Sequence, residues 1–237
     1  ARALQKTSAG PKLSKAHGSP LHAVYADRRF EMGFYDTNIL PWMIDLACGS
    51  GPILKQRKKV VPAAEGRVLE VGMGSAINIP FYDANKIEMV WGLEPSEGMR
   101  RKAAPRIARA PFPVEWLGLP GEEIPLDDNS ADTVLLTFTL CTIPDFAKAL
   151  GQMRRVLKPG GRLLFAEHGE APDDDVRKWQ ERINPFWKRI AGGCNVNRQI
   201  PRVIEDGGFK IEHIDTMYLP GTPKFAGFQY WGVATQR

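Results

Sequence analysis

The sequence predicts a doubly wound α/β fold: a mostly parallel seven-stranded sheet with helices on both faces and a last strand that runs antiparallel. Three observations predict it. Short apolar runs alternate with helical patterns over most of the chain, a glycine turn closes the first run, and an acid stands at the tip of the second. Strands are expected near 67–72, 88–94, 113–117, 132–138, 161–167, 209–216 and 226–235, with helices between the first six. The last two are joined by a stretch containing Pro220, Gly221 and Pro223, too short for a crossover helix, so the seventh strand should insert antiparallel.

Residues 1–33 read as a partly disordered basic tail, in which Arg2, Lys6, Lys12 and Lys15 precede the first acid, Asp27; a single domain follows over 34–237. Phe34 to Val61 reads as a helical cap on that domain. Inside it DLACGSG imitates a glycine-rich turn, but Pro41, Trp42 and Ile44 precede it where a clean strand should stand, so it is read as a helix ended at Gly49 to Pro52. Val68, Leu69 and Val71 then form a run suited to a strand buried on both faces, and Gly72 and Gly74 follow where a ligand must lie against bare backbone. The second strand, Ile87 to Leu93, ends at Glu94, about 20 residues after Gly74, where a carboxylate can accept both hydroxyls of a ribose.

The same turn could serve NAD, yet Ile77 stands where the dinucleotide fingerprint has its last glycine. Glu70, two residues before Gly72, would repel a phosphate and can hold an ammonium. Further along, His168 follows the fifth strand; strand ends face the cleft and histidine titrates near neutrality, so it is the candidate general base, with a pocket-shaping role equally open. The segment Asp173 to Gly193 carries Trp179, Phe186 and Trp187 at near-helical spacing, read as core packing or as a lid over the substrate.

With 237 residues, 43% hydrophobic and 25% charged, the chain can bury a full core. No run approaches the roughly 18 apolar residues that span a bilayer, and no apolar leader is present, so a soluble protein is expected, cytoplasmic or at most membrane-peripheral. Cys48, Cys141 and Cys194 lack C-x-x-C spacing, and His17, His22 and His213 lack ligand spacing; reduced thiols and no metal are expected. The net charge of +5 is scattered, with small clusters at Arg57–Lys59, Arg100–Lys102 and Arg154–Arg155, the last two on expected helices where they read as solvated faces. No nucleic-acid partner is expected; an anionic lipid surface or an acidic substrate would suit the excess.

The order of motifs carries a resemblance. A strand ending Glu70-x-Gly72-x-Gly74 with Ala76 at the third glycine position, then LPGEEIPLDDNSADTVLLTFTLCTIPD (Leu119 to Asp145), then ALGQMRRVLKPGGRLLFAEHG (Ala149 to Gly169), resembles the class I S-adenosylmethionine (SAM)-dependent methyltransferases with their Rossmann-like sheet. LCTIP, EHG and GGCNVNR (Gly192 to Arg198) are similar to the methyltransferase type 11 group, related to ubiquinone-pathway enzymes, and to its alkyl-thiol methyltransferase branch. The resemblance implies SAM as cofactor and methyl transfer to a small-molecule or lipidic acceptor, a thiol among the candidates. A phospholipid or quinone-precursor methyltransferase is the alternative; a non-catalytic SAM-fold binding protein is disfavoured because Glu70, the glycines and Glu94 are intact.

By the same resemblance Glu70, Gly72, Gly74 and Asn78 surround the methionine end of the cofactor, Glu94 the ribose, and Pro95 and Met99 the adenine. Gly121 and Glu122 fall at the adenine rim, preceded by Pro120 where the family usually has Asp. Thr139, Leu140 and Cys141 fall near the reacting methyl, with Cys141 a small pocket residue since direct transfer needs no nucleophile on the protein, and Tyr35 covers the site.

Overall fold

The structure, a computed structural model, describes residues 40–237; the basic tail, Tyr35 and the start of the expected cap lie outside them. Helix α1 (Leu40–Cys48) and helix α2 (Gly51–Val60) flank the expected break. Gly49 closes α1 through its N–H to the Asp45 carbonyl at 2.9 Å, and Pro52 sits in the first turn of α2, where a missing N–H costs nothing.

The seven strands follow in the expected places: β1 (Gly66–Val71), β2 (Ile87–Leu93), β3 (Val114–Leu117), β4 (Ala131–Thr137), β5 (Leu157–His168), β6 (Phe209–Tyr218) and β7 (Phe228–Gln236). Their order is β3-β2-β1-β4-β5-β7-β6. Strands β1 to β5 pair in parallel, while β7 runs antiparallel to both β5 and β6. After β6 the chain makes only a short loop and one helical turn, α7 (Lys224–Gly227), before β7.

Three crossovers carry helices as expected: α3 (Glu97–Ile107) between β2 and β3, α4 (Phe146–Val156) between β4 and β5, and α5 (Asp174–Ile190) with α6 (Ile200–Asp206) between β5 and β6. Two crossovers differ from expectation. Between β1 and β2 the chain forms only a 3-10 turn, Ile79–Phe81, because Gly72, Gly74 and Pro80 break any longer helix. Between β3 and β4 it forms turns without a helix, and that link holds Gly118, Pro120, Gly121 and Pro125.

The alternating pleat explains how short apolar runs cover both faces of the sheet. Leu69, Val71, Val134, Leu136, Leu163 and Phe165 belong to one buried cluster, and their neighbours Val68, Leu135, Leu164 and Ala166 to the other. Helix α4 packs on the first face through Ala149, Leu150, Met153 and Val156, all fully buried, and the Asp145 carboxylate caps it by accepting from Lys148 N at 3.0 Å. The strand order reverses between β1 and β4, so the carboxyl ends of β1, β2, β4 and β5 open a crevice on one edge. No helix among the described residues is long and apolar enough to cross a membrane.

Candidate functional site

The crevice is floored by the turn after β1. Gly72 and Gly74 hold φ of +70° and +58°, the left-handed region that only glycine enters freely. Ala76, at the third position of the pattern, keeps the same conformation with φ +60° despite its methyl group, at a cost of about 1–2 kcal/mol. The departure from glycine therefore leaves the turn geometry in place. A Cβ on Gly72 would stand 2.2 Å from Thr139 Cγ2, so the β1 turn and the loop after β4 touch there with no room for a side chain. Gly72→Ala is expected to lose about 2–3 kcal/mol of stability, read as a lower denaturation midpoint; an unchanged midpoint would show that the turn can move away from Thr139.

At the tip of β2, Glu94 folds over this turn. Its Oε2 accepts from Gly74 N at 3.0 Å and its Oε1 from Ser96 N at 2.8 Å. Burial pushes the carboxyl above its ordinary range, and the two amides oppose that push. Ser96 caps α3 by accepting from Met99 N at 3.3 Å, and Arg100 donates to the Glu94 carbonyl at 2.5 Å and the Pro95 carbonyl at 3.3 Å. A Cβ on Gly74 would lie 3.2 Å from Met99 Cε. Gly74, Glu94, Pro95 and Met99 are thus brought together.

Glu70 sits below the turn in a closed polar network. Its carboxylate accepts from Asn78 Nδ2 at 2.8 Å and from Tyr82 Oη at 2.6 Å. Burial pushes its pKa up to about 7, while the two hydrogen bonds and the nearby Arg57 charge hold it from rising further. Arg57 itself is buried. Its Nη1 donates to Asn78 Oδ1 at 3.1 Å and Thr137 Oγ1 at 2.6 Å, and its guanidinium lies 5.1 Å from the centre of the Phe138 ring. Asp45, in the imitation motif of α1, accepts from Ser75 Oγ and, at 3.2 Å, from Arg106 Nη1, so α1 is tied to the glycine turn and to α3.

Gly121 packs against the end of β1, where a Cβ would meet Val71 Cγ1 at 3.4 Å. Glu122 beside it braces the start of α4, its Oε1 accepting from Asp145 N at 3.2 Å.

Beyond β4 the chain enters the left-handed region at Phe138, φ +56°, a strained conformation of the kind concentrated at functional sites. Glu167, fully buried near the end of β5, holds the next turn: its Oε1 accepts from Thr139 N at 2.8 Å and Leu140 N at 3.0 Å. Burial raises its pKa against these bonds. Glu167 escaped the sequence reading although it neighbours His168. The GGCNVNR segment clamps the same turn. Asn195 donates from its N–H at 3.0 Å and its Nδ2 at 2.9 Å to the Cys141 carbonyl, and Arg198 donates to the carbonyls of Leu140 and Ile143, the latter at 2.8 Å.

On the far side of this turn lies a cavity of about 530 Å³ with mostly apolar walls, among them Ile44, Ile53, Phe138, Trp187 and Leu219. Cys48, Cys141, Cys194 and His168 also line it, while Glu70, Gly72, Gly74 and Glu94 do not. His168 Nε2 lies 3.1 Å from Cys194 Sγ. Burial pulls the imidazole pKa down, but Cys141 and Glu167 outweigh it and leave the group above its ordinary value. The Cys141 thiol is pushed well up by its hydrogen bond with Cys194 and by burial, and the same bond draws Cys194 down. Helix α5 contributes Trp187 and Ile190 to the wall, while Trp179 and Phe186 stand exposed, which corrects the expectation that all three aromatics pack in the core.

Bare backbone at Gly72 and Gly74 beside a strand-tip carboxylate fits an adenosyl cofactor without a pyrophosphate, and the adjoining cavity fits a separate small acceptor. These are features of a cofactor-dependent transferase. A methyltransferase domain family matches residues 69–165. Over 180 residues the chain is 33% identical to thiol S-methyltransferase TMT1B of Homo sapiens, covering 71% of this chain and 73% of that protein. It is 30% identical over 171 residues to a phosphatidylethanolamine N-methyltransferase of Cereibacter sphaeroides, covering 71% and 82%. In fold it is similar to a SAM-dependent methyltransferase of Leishmania major, with a TM-score of 0.60 at 16% identity over 86% of this chain and 84% of that one.

The chain belongs to the class I SAM-dependent methyltransferases, in the type 11 group. It is a SAM-dependent enzyme that methylates small-molecule acceptors.

Proposed function

We propose that the protein is a thiol S-methyltransferase whose acceptor enters the cavity beside His168. The observation that carries this reading is the pairing of an apolar cavity with a single imidazole at the end of β5, next to the turn that separates cavity and glycine cradle. When bound, SAM supplies a methyl group already activated on a sulfonium, so the chain has to align the acceptor and exclude water. In this reading Gly72 and Gly74 bare the backbone to the cofactor, Glu94 turns its two oxygens from the Gly74 and Ser96 amides towards the ribose hydroxyls, and Pro95 and Met99 flank the adenine with Gly121 and Glu122 at its rim. Glu70 presents its carboxylate beneath the methionine ammonium, oriented by the Asn78 amide. Thr139, Leu140 and Cys141, held by Glu167, Asn195 and Arg198, position the acceptor in line. His168 takes the thiol proton onto its imidazole, and the freed sulfur accepts the methyl.

A lipidic acceptor, a phospholipid or a quinone precursor, is the second reading. It is favoured by the large apolar side chains exposed on the two helices that wall the cavity, Trp42 and Leu46 of α1 and Trp179 and Phe186 of α5, which suit a peripheral contact with a lipid surface. Methyl transfer from radiolabelled SAM decides between them, with alkyl thiols, quinone precursors and phosphatidylethanolamine vesicles as acceptors. Turnover confined to thiols supports the first reading; turnover confined to quinone precursors or phospholipid overturns it. Glu94→Ala is expected to weaken SAM binding by about 1.5–3 kcal/mol, the range for hydrogen bonds to a charged group, with the fold intact. Calorimetry checks it, and an unchanged dissociation constant would mean that the acid does not hold the ribose.

A further inference from the structure

Three ligand-type side chains from three separate elements converge at the inner wall of the cavity. Cys141 comes from the turn after β4, His168 from the end of β5, and Cys194 from the segment after α5. One ligand atom from each, two thiol sulfurs and an imidazole nitrogen, lie within 4.8 Å of one another, with Cys194 Sγ and His168 Nε2 at 3.1 Å. With zinc-to-sulfur bonds near 2.3 Å and zinc-to-nitrogen bonds near 2.0–2.1 Å, the ligands of a tetrahedral ion stand about 3.6–3.8 Å apart, within the spread of this cluster. The backbone already holds the parts in register. Asn195, next to Cys194, donates twice to the Cys141 carbonyl, and Arg198 braces the carbonyls on either side of that turn.

From this convergence we propose that Cys141, His168 and Cys194 form a three-ligand site for a thiophilic divalent cation of the zinc type, with its fourth position open to the cavity. Two sulfurs and an imidazole select soft and borderline ions over magnesium or calcium, which prefer oxygen. Binding releases the two thiol protons to solvent, and the two thiolates balance the charge of the ion. An ion held there takes the imidazole lone pair that proton removal from an acceptor needs. Metal loading and the base role of His168 are therefore exclusive states of one site, and the metal-loaded chain is the inactive one.

The test uses Co²⁺ as a spectroscopic probe on the reduced full chain, with Zn²⁺ as competitor. One equivalent of Co²⁺ should produce sulfur-to-metal charge-transfer absorption together with the visible bands of a tetrahedral ion, and Zn²⁺ should abolish both. Cys194→Ala and Cys141→Ala should each lose the charge-transfer signal of the intact site, an unchanged circular-dichroism spectrum and cooperative thermal unfolding showing that each variant is folded. Cys48→Ala, which removes the third cavity thiol from outside the cluster, should keep it. Absence of the signal in the unmodified chain, its persistence in either Cys141→Ala or Cys194→Ala, or its loss in Cys48→Ala would overturn the proposed ligand set.

Discussion

Glu70→Ala is expected to cost about 3–5 kcal/mol of stability, the range for removing one partner of a buried charged network, and to abolish measurable SAM binding. The carboxylate is the common acceptor for Tyr82 and Asn78, and Asn78 in turn accepts from the buried Arg57 guanidinium. Alanine would leave the Tyr82 phenol without its acceptor in a dry interior and the Asn78 amide with Thr137 Oγ1 alone, beside the buried Arg57 charge. Set against a typical domain stability of about 5–15 kcal/mol, such a loss is readily visible in denaturant unfolding. Glu70→Gln separates structure from charge, because a glutamine still accepts from Asn78 and can donate to the Tyr82 oxygen.

The pH dependence follows from the raised pKa of Glu70. Below pH 4.5 the carboxyl is protonated in both the folded and the unfolded chain and costs nothing. As pH rises from 4.5 to about 7 the unfolded chain ionises while the folded one keeps its proton, so stability falls across this window, by about 3 kcal/mol for this group. In Glu70→Gln that component is absent, and the gap between the two proteins should shift in favour of the variant as pH rises to 7. A cationic ligand favours the ionised carboxylate, so SAM affinity of the unmodified protein should strengthen as pH rises through 7, whereas that of the glutamine variant should not. A parallel pH dependence in the two proteins would remove Glu70 from any role beneath the cofactor.

The strands and the glycine turn were legible because they are local patterns. Each buried run is only a few residues long, and Gly72 and Gly74 stand next to the run they terminate. The base candidate His168 was legible for the same reason, as the residue where β5 ends. What escaped depends on contacts between distant segments. Arg57 lies in a run of three basic residues with no local sign of burial, and only Asn78 and Thr137, 21 and 80 positions away, make it a buried group. Asp45 was set aside because its motif lacked a strand, and its link to Ser75 and Arg106 exists only once α1 has docked. The missing crossover helices show propensity overruling the alternation of strands and helices: the glycines and prolines in both links were visible, and they outweighed the pattern around them. Cys141 and Cys194 share no spacing because the fold, not the chain, makes them neighbours.

His168→Ala is expected to lower turnover of a thiol acceptor by about 100-fold or more at neutral pH, the usual contribution of a general base, with SAM affinity little changed. The separation follows from the structure: His168 lines the cavity and contacts Cys194, whereas the glycine turn and Glu94 do not line that cavity. A chelator in the assay keeps the imidazole free of metal. Added imidazole should restore part of the lost rate, since truncation to alanine leaves space in a cavity of about 530 Å³ for a free ring beside the acceptor sulfur. A residue that merely shapes the wall behaves differently: its loss raises KM for the acceptor, leaves kcat near that of the unmodified enzyme, and gives imidazole nothing to rescue. The split between kcat and KM therefore decides whether the chain removes the acceptor's proton or only holds an already ionised sulfur in line with the methyl group.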